Sequence, residues 1–224
     1  GSINRQLKPE EVISLEGGIR SSLLSNSINF ETTAYRMWVT NLLMTRRDAE
    51  DIFYGENAGK TIHTGLENSL IYRHSSARSL KNHTVSITHT LMDNRFRYFI
   101  QDEVDFSDKQ LPGIPYSHLS INVMYQLTRT ITLGYNFKHL SSQYLNDGNT
   151  LKYSGHELID LSVSYTTRSR SGNEFKAIGG IQNILDTHHA SMVLVNAPTF
   201  GTSPPRYYYP GKPRALFVSL RLNL

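Results

Sequence analysis

The 224-residue sequence contains no cysteine. Disulfide frameworks, thiolate metal sites and cysteine nucleophiles are excluded, although the absence names no compartment. Long hydrophobic runs are also missing: none exceeds four residues, the longest being Met192 to Val195 and Ala215 to Val218. No helix made from such runs can cross a membrane, but the test is blind to a membrane β-barrel, whose strands alternate so that hydropathy averages out. Charge of one sign is lacking as well. The 23 basic and 19 acidic residues give a net +4 and are too evenly mixed for a nucleic-acid stripe, so no nucleic-acid partner is expected. Thirteen tyrosines and nine phenylalanines argue against disorder. No secretion leader stands at the start, and Gly1-Ser2 reads as a cloning scar.

What is present is period two. Leu216, Val218, Leu220, Leu222 and Leu224 fall on one face of a strand, with Phe217, Ser219, Arg221 and Asn223 on the other. Leu119, Ile121, Val123, Tyr125 and Leu127 oppose Ser120, Asn122, Met124 and Gln126 in the same way. So do Ile159, Leu161, Val163 and Tyr165 against Asp160, Ser162, Ser164 and Thr166. The pattern predicts nine strands, at 10–23, 28–45, 58–73, 83–95, 117–127, 131–144, 155–168, 174–186 and 212–224. Their mean length is roughly 14 residues, where soluble strands run to about 5–6 and a tilted bilayer-crossing strand needs about 9–11. A further strand within 98–106 is the one alternative to this count.

Short connections at 24–27, 128–130 and 169–173 alternate with long ones at 96–116 and 187–211. One rim of a meander thus carries tight turns and the other long loops, the habit of outer-membrane barrels. Ser25-Asn26-Ser27 and Ser171-Gly172-Asn173 supply turn chemistry for the short gaps, and Asp147-Gly148-Asn149 and the proline-rich stretch from Pro198 to Pro213 lie in long ones. The expected fold class is all-β, an antiparallel up-and-down meander of about nine long strands. Period two alone leaves open whether the apolar face meets lipid or a soluble core. Polar faces rich in Ser, Thr, Asn and Gln, the apolar final strand, and aromatics near strand ends (Tyr98-Phe99, Tyr135, Phe137, Tyr207 to Tyr209) favour a lipid-facing barrel with interfacial girdles.

Five stretches carry a family resemblance. Asn4-Arg5-Gln6-Leu7-Lys8-Pro9-Glu10 with Ser14-Leu15-Glu16-Gly17-Gly18-Ile19-Arg20 resembles the "N-x-x-L-K-P-E … E-x-G-x-R" entry of the barrel of TonB-dependent outer-membrane receptors. Gly65-Leu66-Glu67-Asn68-Ser69-Leu70-Ile71-Tyr72-Arg73 is similar to its "G-x-E-x-x-x-x-Y" strand, and Leu111-Pro112-Gly113-Ile114-Pro115 with His118 to its "L-P-x-x-P-x-H". Gly180-Ile181-Gln182-Asn183-Ile184-Leu185-Asp186 resembles "V-x-N-L-F-D", and Tyr208-Tyr209-Pro210-Gly211-Lys212-Pro213-Arg214 resembles "Y-x-P-G-x-P-R". All five stand in the family's order. Two departures are evident: Leu224 occupies the place of the usual closing aromatic, and no plug domain is present. Such barrels close with about 22 strands, so the resemblance implies that residues 3–224 are the C-terminal section of a larger barrel.

The resemblance further implies a receptor of the Gram-negative outer membrane, contacting its lipid. It takes up a scarce nutrient such as a ferric siderophore or other metal chelate, energised by the TonB complex through the absent plug. Binding falls to the outer loops 46–57, 96–116, 145–154 and 187–211. Arg206, Tyr207 and Tyr208 combine a guanidinium with stacking rings suited to an anionic aromatic ligand, against a plainer role as girdle and turn. His188, beside His189, has a metal-ligand side chain, although adjacent strand residues point to opposite faces. Asn136 and Lys138, with Asp160, are expected to face the lumen. Asp48, Glu50, Asp51 and Glu56, and Asp102, Glu103, Asp105 and Asp108, lack the spacing of a calcium loop and read as solvated.

No cofactor and no resident metal is implied. Nucleophile-elbow, phosphate-loop and H-E-x-x-H patterns are absent, so no enzyme is expected. Two rival readings make different demands. A small outer-membrane barrel hydrolase requires an even number of strands, about 8 to 12. A soluble carbohydrate-binding sandwich requires the apolar faces to be clasped by a second layer.

Overall fold

The computed structural model describes residues 6–47, 52–57, 59–76, 81–101, 103–199 and 202–223. In chain order the first strands are β1 (Glu11–Leu23), β2 (Ile28–Thr40), β3 (Leu43–Arg47), β4 (Phe53–Asn57), β5 (Lys60–Ser76), β6 (Lys81–Tyr98), β7 (Ile100–Gln101) and β8 (Val104–Asp105). They are followed by β9 (Ser117–Gln126), β10 (Ile131–Leu140), β11 (Gln143–Tyr144), β12 (Lys152–Tyr153), β13 (His156–Arg168), β14 (Glu174–Gln182), β15 (Ala190–Val193), β16 (Tyr208–Pro210) and β17 (Ala215–Asn223). Nine of them form one sheet in the order β1-β2-β5-β6-β9-β10-β13-β14-β17, every pair antiparallel. The expected all-β meander of nine long strands is therefore present. The remaining strands make four small hairpins in the long connections. One of them, β7 with β8, occupies the stretch considered for a tenth strand and stays outside the main sheet.

Partners across an antiparallel pair share a face. The register accordingly carries one apolar face from β9 to β17. Tyr125 pairs with Leu133, Leu133 with Val163, Val163 with Gly179 and Gly179 with Val218. Among the described residues no second sheet or helix covers this face, and Val163, Leu216 and Val218 are 50%, 80% and 79% exposed. A soluble sandwich would have buried them. The apolar stretch on β10 and β13 ends outward at His139 and Glu157, register partners whose side chains meet at 3.1 Å. The opposite face is polar and charged, with Asn122 beside Asn136 and Arg20 paired to Glu31 at 2.7 Å. That exposed ion pair adds little stability.

Strand ends follow local chemistry. β2 stops at Thr40, short of the predicted 45, because Asn41 turns into the left-handed region at φ 58° and donates its N–H to Gly59 O at 2.7 Å; asparagine tolerates that conformation. The strand predicted at 131–144 is interrupted after Leu140, and Gln143–Tyr144 pair instead with Lys152–Tyr153. The strand predicted to reach 186 ends at Gln182, since Asn183 and Asp186 have φ of 49° and 52°.

The apolar core lies at the capped rim, where the end of β6 meets the long connections. Phe96, Phe99 and Leu111 are buried, with Leu42, Phe106 and Ile114 packed against them. The expectation that Phe99 belongs to an interfacial girdle is thus corrected: the 99–116 connection doubles back, Phe106 N–H donating to Phe99 O at 2.8 Å, and encloses the ring. This connection is locked to the next one by Gln110 N–H to Asn149 Oδ1 and Asn149 Nδ2 to Gln110 O, both 2.8 Å. The 141–155 connection is tied in turn to 183–214 by Asn196 N–H to Leu145 O at 2.8 Å and Asn196 Nδ2 to Asp147 Oδ2 at 3.0 Å. Three long loops therefore form one interlocked cap at one rim. Leu224, Asn4, Arg5, Gly1-Ser2 and the acidic residues Asp48, Glu50, Asp51 and Asp102 lie outside the described residues.

Candidate functional site

The site is assembled where β9, β10 and β13 reach the capped rim. Leu140 on β10 pairs with His118 on β9 and with His156 on β13, so two imidazoles flank it on the polar face. The 183–214 connection brings the third. Asn183, buried at 4% exposure, cross-braces its start: its N–H reaches Asp160 Oδ1 (2.8 Å), its Oδ1 accepts Thr187 N–H (2.9 Å), and its Nδ2 reaches Thr187 O (3.0 Å) and Lys212 O (3.2 Å). Asp186 Oδ1 accepts the Arg214 N–H at 2.7 Å. With its base so fixed, the connection lays the β15–β16 hairpin over the wall, and the His189 ring stands 4.9 Å from that of His156.

Between hairpin and wall lies a cavity of about 330 Å³, lined by His118, Lys138, Gln143, His156, His189 and Met192 among others. Tyr153 Oη lies 2.9 Å from His156 Nδ1 and accepts the Ala190 N–H at 3.0 Å, while its ring meets that of Tyr208 at 5.7 Å. Burial, reinforced by His189, His139 and His118 nearby, holds the His156 imidazole below the ordinary histidine range. The chamber's polar lining is therefore an ammonium and four imidazoles, His139 the fourth, set among the apolar Leu140, Leu158 and Val193 and beside phenol rings. It can donate hydrogen bonds to anionic oxygens and stack on planar groups. Among the described residues, no three His, Asp or Glu side chains gather in a metal-holding group.

The structure brings together some of the predicted candidates and separates others. Lys138 lines the cavity, Tyr208 closes on it through Tyr153, and Tyr207 touches Tyr208 at 6.4 Å between ring centres. Arg206 is exposed and is not among the lining residues, and neither is His188, whose neighbour His189 takes that place. Asn136 donates to Asn122 Oδ1 further down the polar face. Asp160 is a scaffold acceptor for Asn183 rather than part of the cavity. Sequence reasoning assigned no site role to His118, His156 and Tyr153, and weighed His189 only as the other half of the His188-His189 pair. Their only sequence signal is that His118 and His156 begin two strands flanking β10. Elsewhere in the cap, Asp105 is held below the usual carboxylate range by the Ser107 hydroxyl and by its N–H at 2.8 Å.

The family model described as "TonB dependent receptor-like, beta-barrel" matches residues 1–184. The chain belongs to that family. This is a family of Gram-negative outer-membrane receptors, not of enzymes, in agreement with the resemblance carried by the five sequence stretches. No curated protein matches the chain. Among solved structures it is similar to the siderophore receptor PiuA from Acinetobacter baumannii, with 17% identity and a TM-score of 0.74 over 99% of this chain and 29% of that one. It is also similar to the ferric citrate transporter FecA in the unliganded form (20% identity, TM-score 0.72, 94% of this chain and 31% of that one). A third likeness is to the Ferric-Catecholate import receptor Fiu from K12 E. coli (18%, 0.67, 97% and 28%). At these identities the likeness is one of fold. The barrel section spans about 30% of the length of these receptors, and the likeness to PiuA, over 99% of this chain, takes in β15 to β17 beyond the reach of the family model.

Proposed function

We propose that residues 3–224 form part of the wall and outer cap of an outer-membrane uptake receptor whose cargo is a ferric siderophore or comparable metal chelate. The observation that carries the reading is the chamber of about 330 Å³ holding Lys138, His118, His156 and His189 under a tyrosine-bearing hairpin. Siderophores present anionic oxygens and planar rings, which a lysine, imidazoles and phenols recognise. The uncovered apolar face supports placement in lipid, since a wide barrel turns that face to acyl chains and its polar face to the lumen. The solved relatives named for ferric citrate and for ferric-catecholate import support the cargo class. Energisation through TonB is part of the same proposal and rests on family membership.

Uptake of labelled iron by cells producing the receptor that contains this section tests the reading. Lys138→Ala with His156→Gln is expected to weaken chelate binding at least tenfold at unchanged surface level. Binding and uptake equal to those of the parent across citrate, catecholate and hydroxamate chelates would refute it.

A further inference from the structure

The polar face carries a second constellation, one strand group away from the chamber. On β2, β5 and β6 the residues Met37, His63 and Asn94 stand in one register row, Met37 directly opposite His63 and His63 directly opposite Asn94. In the adjoining row Tyr35 faces Gly65 and Gly65 faces Met92, which places Met92 diagonal to His63. Opposite residues of an antiparallel pair lie about 5 Å apart at Cβ and diagonal ones about 7–8 Å at Cα, within reach of a methionine side chain. Met124 on β9 also stands on this face, opposite Thr84 and Gly134, but among the described residues only here does the register set two of the chain's five methionines beside one imidazole.

Three further observations point to a ligand. Asn94 is 9% exposed and its Oδ1 is buried with no hydrogen-bond partner; an orphaned acceptor of that kind is costly unless something occupies it. His63 Nε2 lies 2.9 Å from Oγ1 of Thr61, itself 1% exposed. The Thr61 hydroxyl can accept from a protonated Nε2, and in that tautomer Nδ1 keeps its lone pair for a ligand. The row is closed on the rim side by the cap, through Leu111 N–H to Asn94 O at 2.8 Å and the fully buried Phe96. Below, the Tyr35 ring lies over Gly65, where a Cβ would strike it.

We infer that Met37, His63 and Met92, with Asn94 Oδ1 above them, form a binding site for a soft monovalent cation, Cu(I). Two thioethers and a neutral imidazole suit that ion, whereas hard divalent ions ask for carboxylates, which the row lacks. The inference does not depend on the chelate reading of the outer chamber: it concerns a bare ion, held by different strands.

The test uses the whole receptor in detergent, titrated with Cu(I) under reducing conditions against a chromogenic Cu(I) chelator, with Ag(I) as a redox-stable second probe. One equivalent is expected to be withheld. Met37→Leu with Met92→Leu, which conserves volume, should lower the affinity at least tenfold, and His63→Gln should do the same. The chamber variants Lys138→Ala and His156→Gln should leave it unchanged, so failure of the chelate proposal would not be mistaken for failure of this one. Absence of any withheld Cu(I), or equal retention by the double Leu variant, would overturn the site. X-ray absorption of the Cu(I)-loaded parent needs no variant to fold: sulfur scatterers support the assignment and a shell of nitrogen and oxygen alone refutes it.

Discussion

Tyr153 and His156 face each other across the turn at Gly155, whose φ of 83° permits the reversal, and Tyr153 Oη sits 2.9 Å from His156 Nδ1. Because the same oxygen accepts the N–H of the largely buried Ala190 at 3.0 Å, the phenol is the latch between the β15–β16 hairpin and the wall. Tyr153→Phe keeps the ring contact with Tyr208 but leaves that N–H unpaired, at a cost on the order of 1–3 kcal/mol. The expected outcome is faster amide exchange at Ala190 to Val193 with the protection of β10 and β13 unchanged. Equal protection in the variant would show that the hairpin is held by other contacts.

His156 gives the latch a pH dependence. Its pKa is lowered from 6.5 in the folded state, first by burial and then by His189, His139 and His118. Lys138, Glu157 and Tyr153 are the other ionisable neighbours on the wall and cap, Glu157 being engaged by His139 on the apolar side. A base whose folded pKa is depressed takes up its proton in the opened state first. Stability of the closed cap is thus full above pH 6.5, declines as the pH falls below it, and levels off once the folded pKa has been passed. Hairpin protection factors measured between pH 7.5 and 5 should fall accordingly, and His156→Gln should flatten the profile.

Gly211 is held by close approach. Its N–H donates to His189 O at 2.8 Å, and a Cβ on it would run into the His189 ring, which itself lies tilted against that of His156. Gly211→Ala is expected to displace that ring and to cost on the order of 1–3 kcal/mol through overpacking. The measurable result is a smaller chamber with weaker ligand binding, while Gly17→Ala, where a Cβ meets nothing, leaves binding unchanged.

The wall was legible because period two reports faces directly. Ile159 to Tyr165 and Leu119 to Tyr125 carry the apolar face as the alternation predicted, and the tight turns fall where Ser25-Asn26-Ser27 and Ser171-Gly172-Asn173 stand. Alternation does not report register, which alone puts His118 and His156 on either side of Leu140 and Met37 beside His63. Nor does it report the cap. The cap depends on single asparagines, Asn149, Asn183 and Asn196, that take positive φ and use their amides as cross-braces, and such residues look like ordinary loop polarity in a sequence. Two of the family stretches gain a physical reason: Asn183 and Asp186 brace the loop, and Gly211 admits the His189 ring.

The assignment of the apolar face to lipid is tested by two neighbouring residues of β13. Val163 is half exposed on the apolar face, in register with Leu133 and Gly179, and Ser164 follows it on the polar face, in register with Thr132 and Ile178. If acyl chains cover the first face, Val163→Arg carries a guanidinium into hydrocarbon and costs about 2–4 kcal/mol near the bilayer midplane, while Ser164→Arg points into the lumen and costs far less. Unfolding of the receptor in phospholipid bilayers, followed by its heat-dependent gel mobility, should show Val163→Arg destabilised and Ser164→Arg close to the parent. The reverse order would place the polar face against lipid and overturn the barrel orientation, because one backbone step in a strand exchanges the two faces completely.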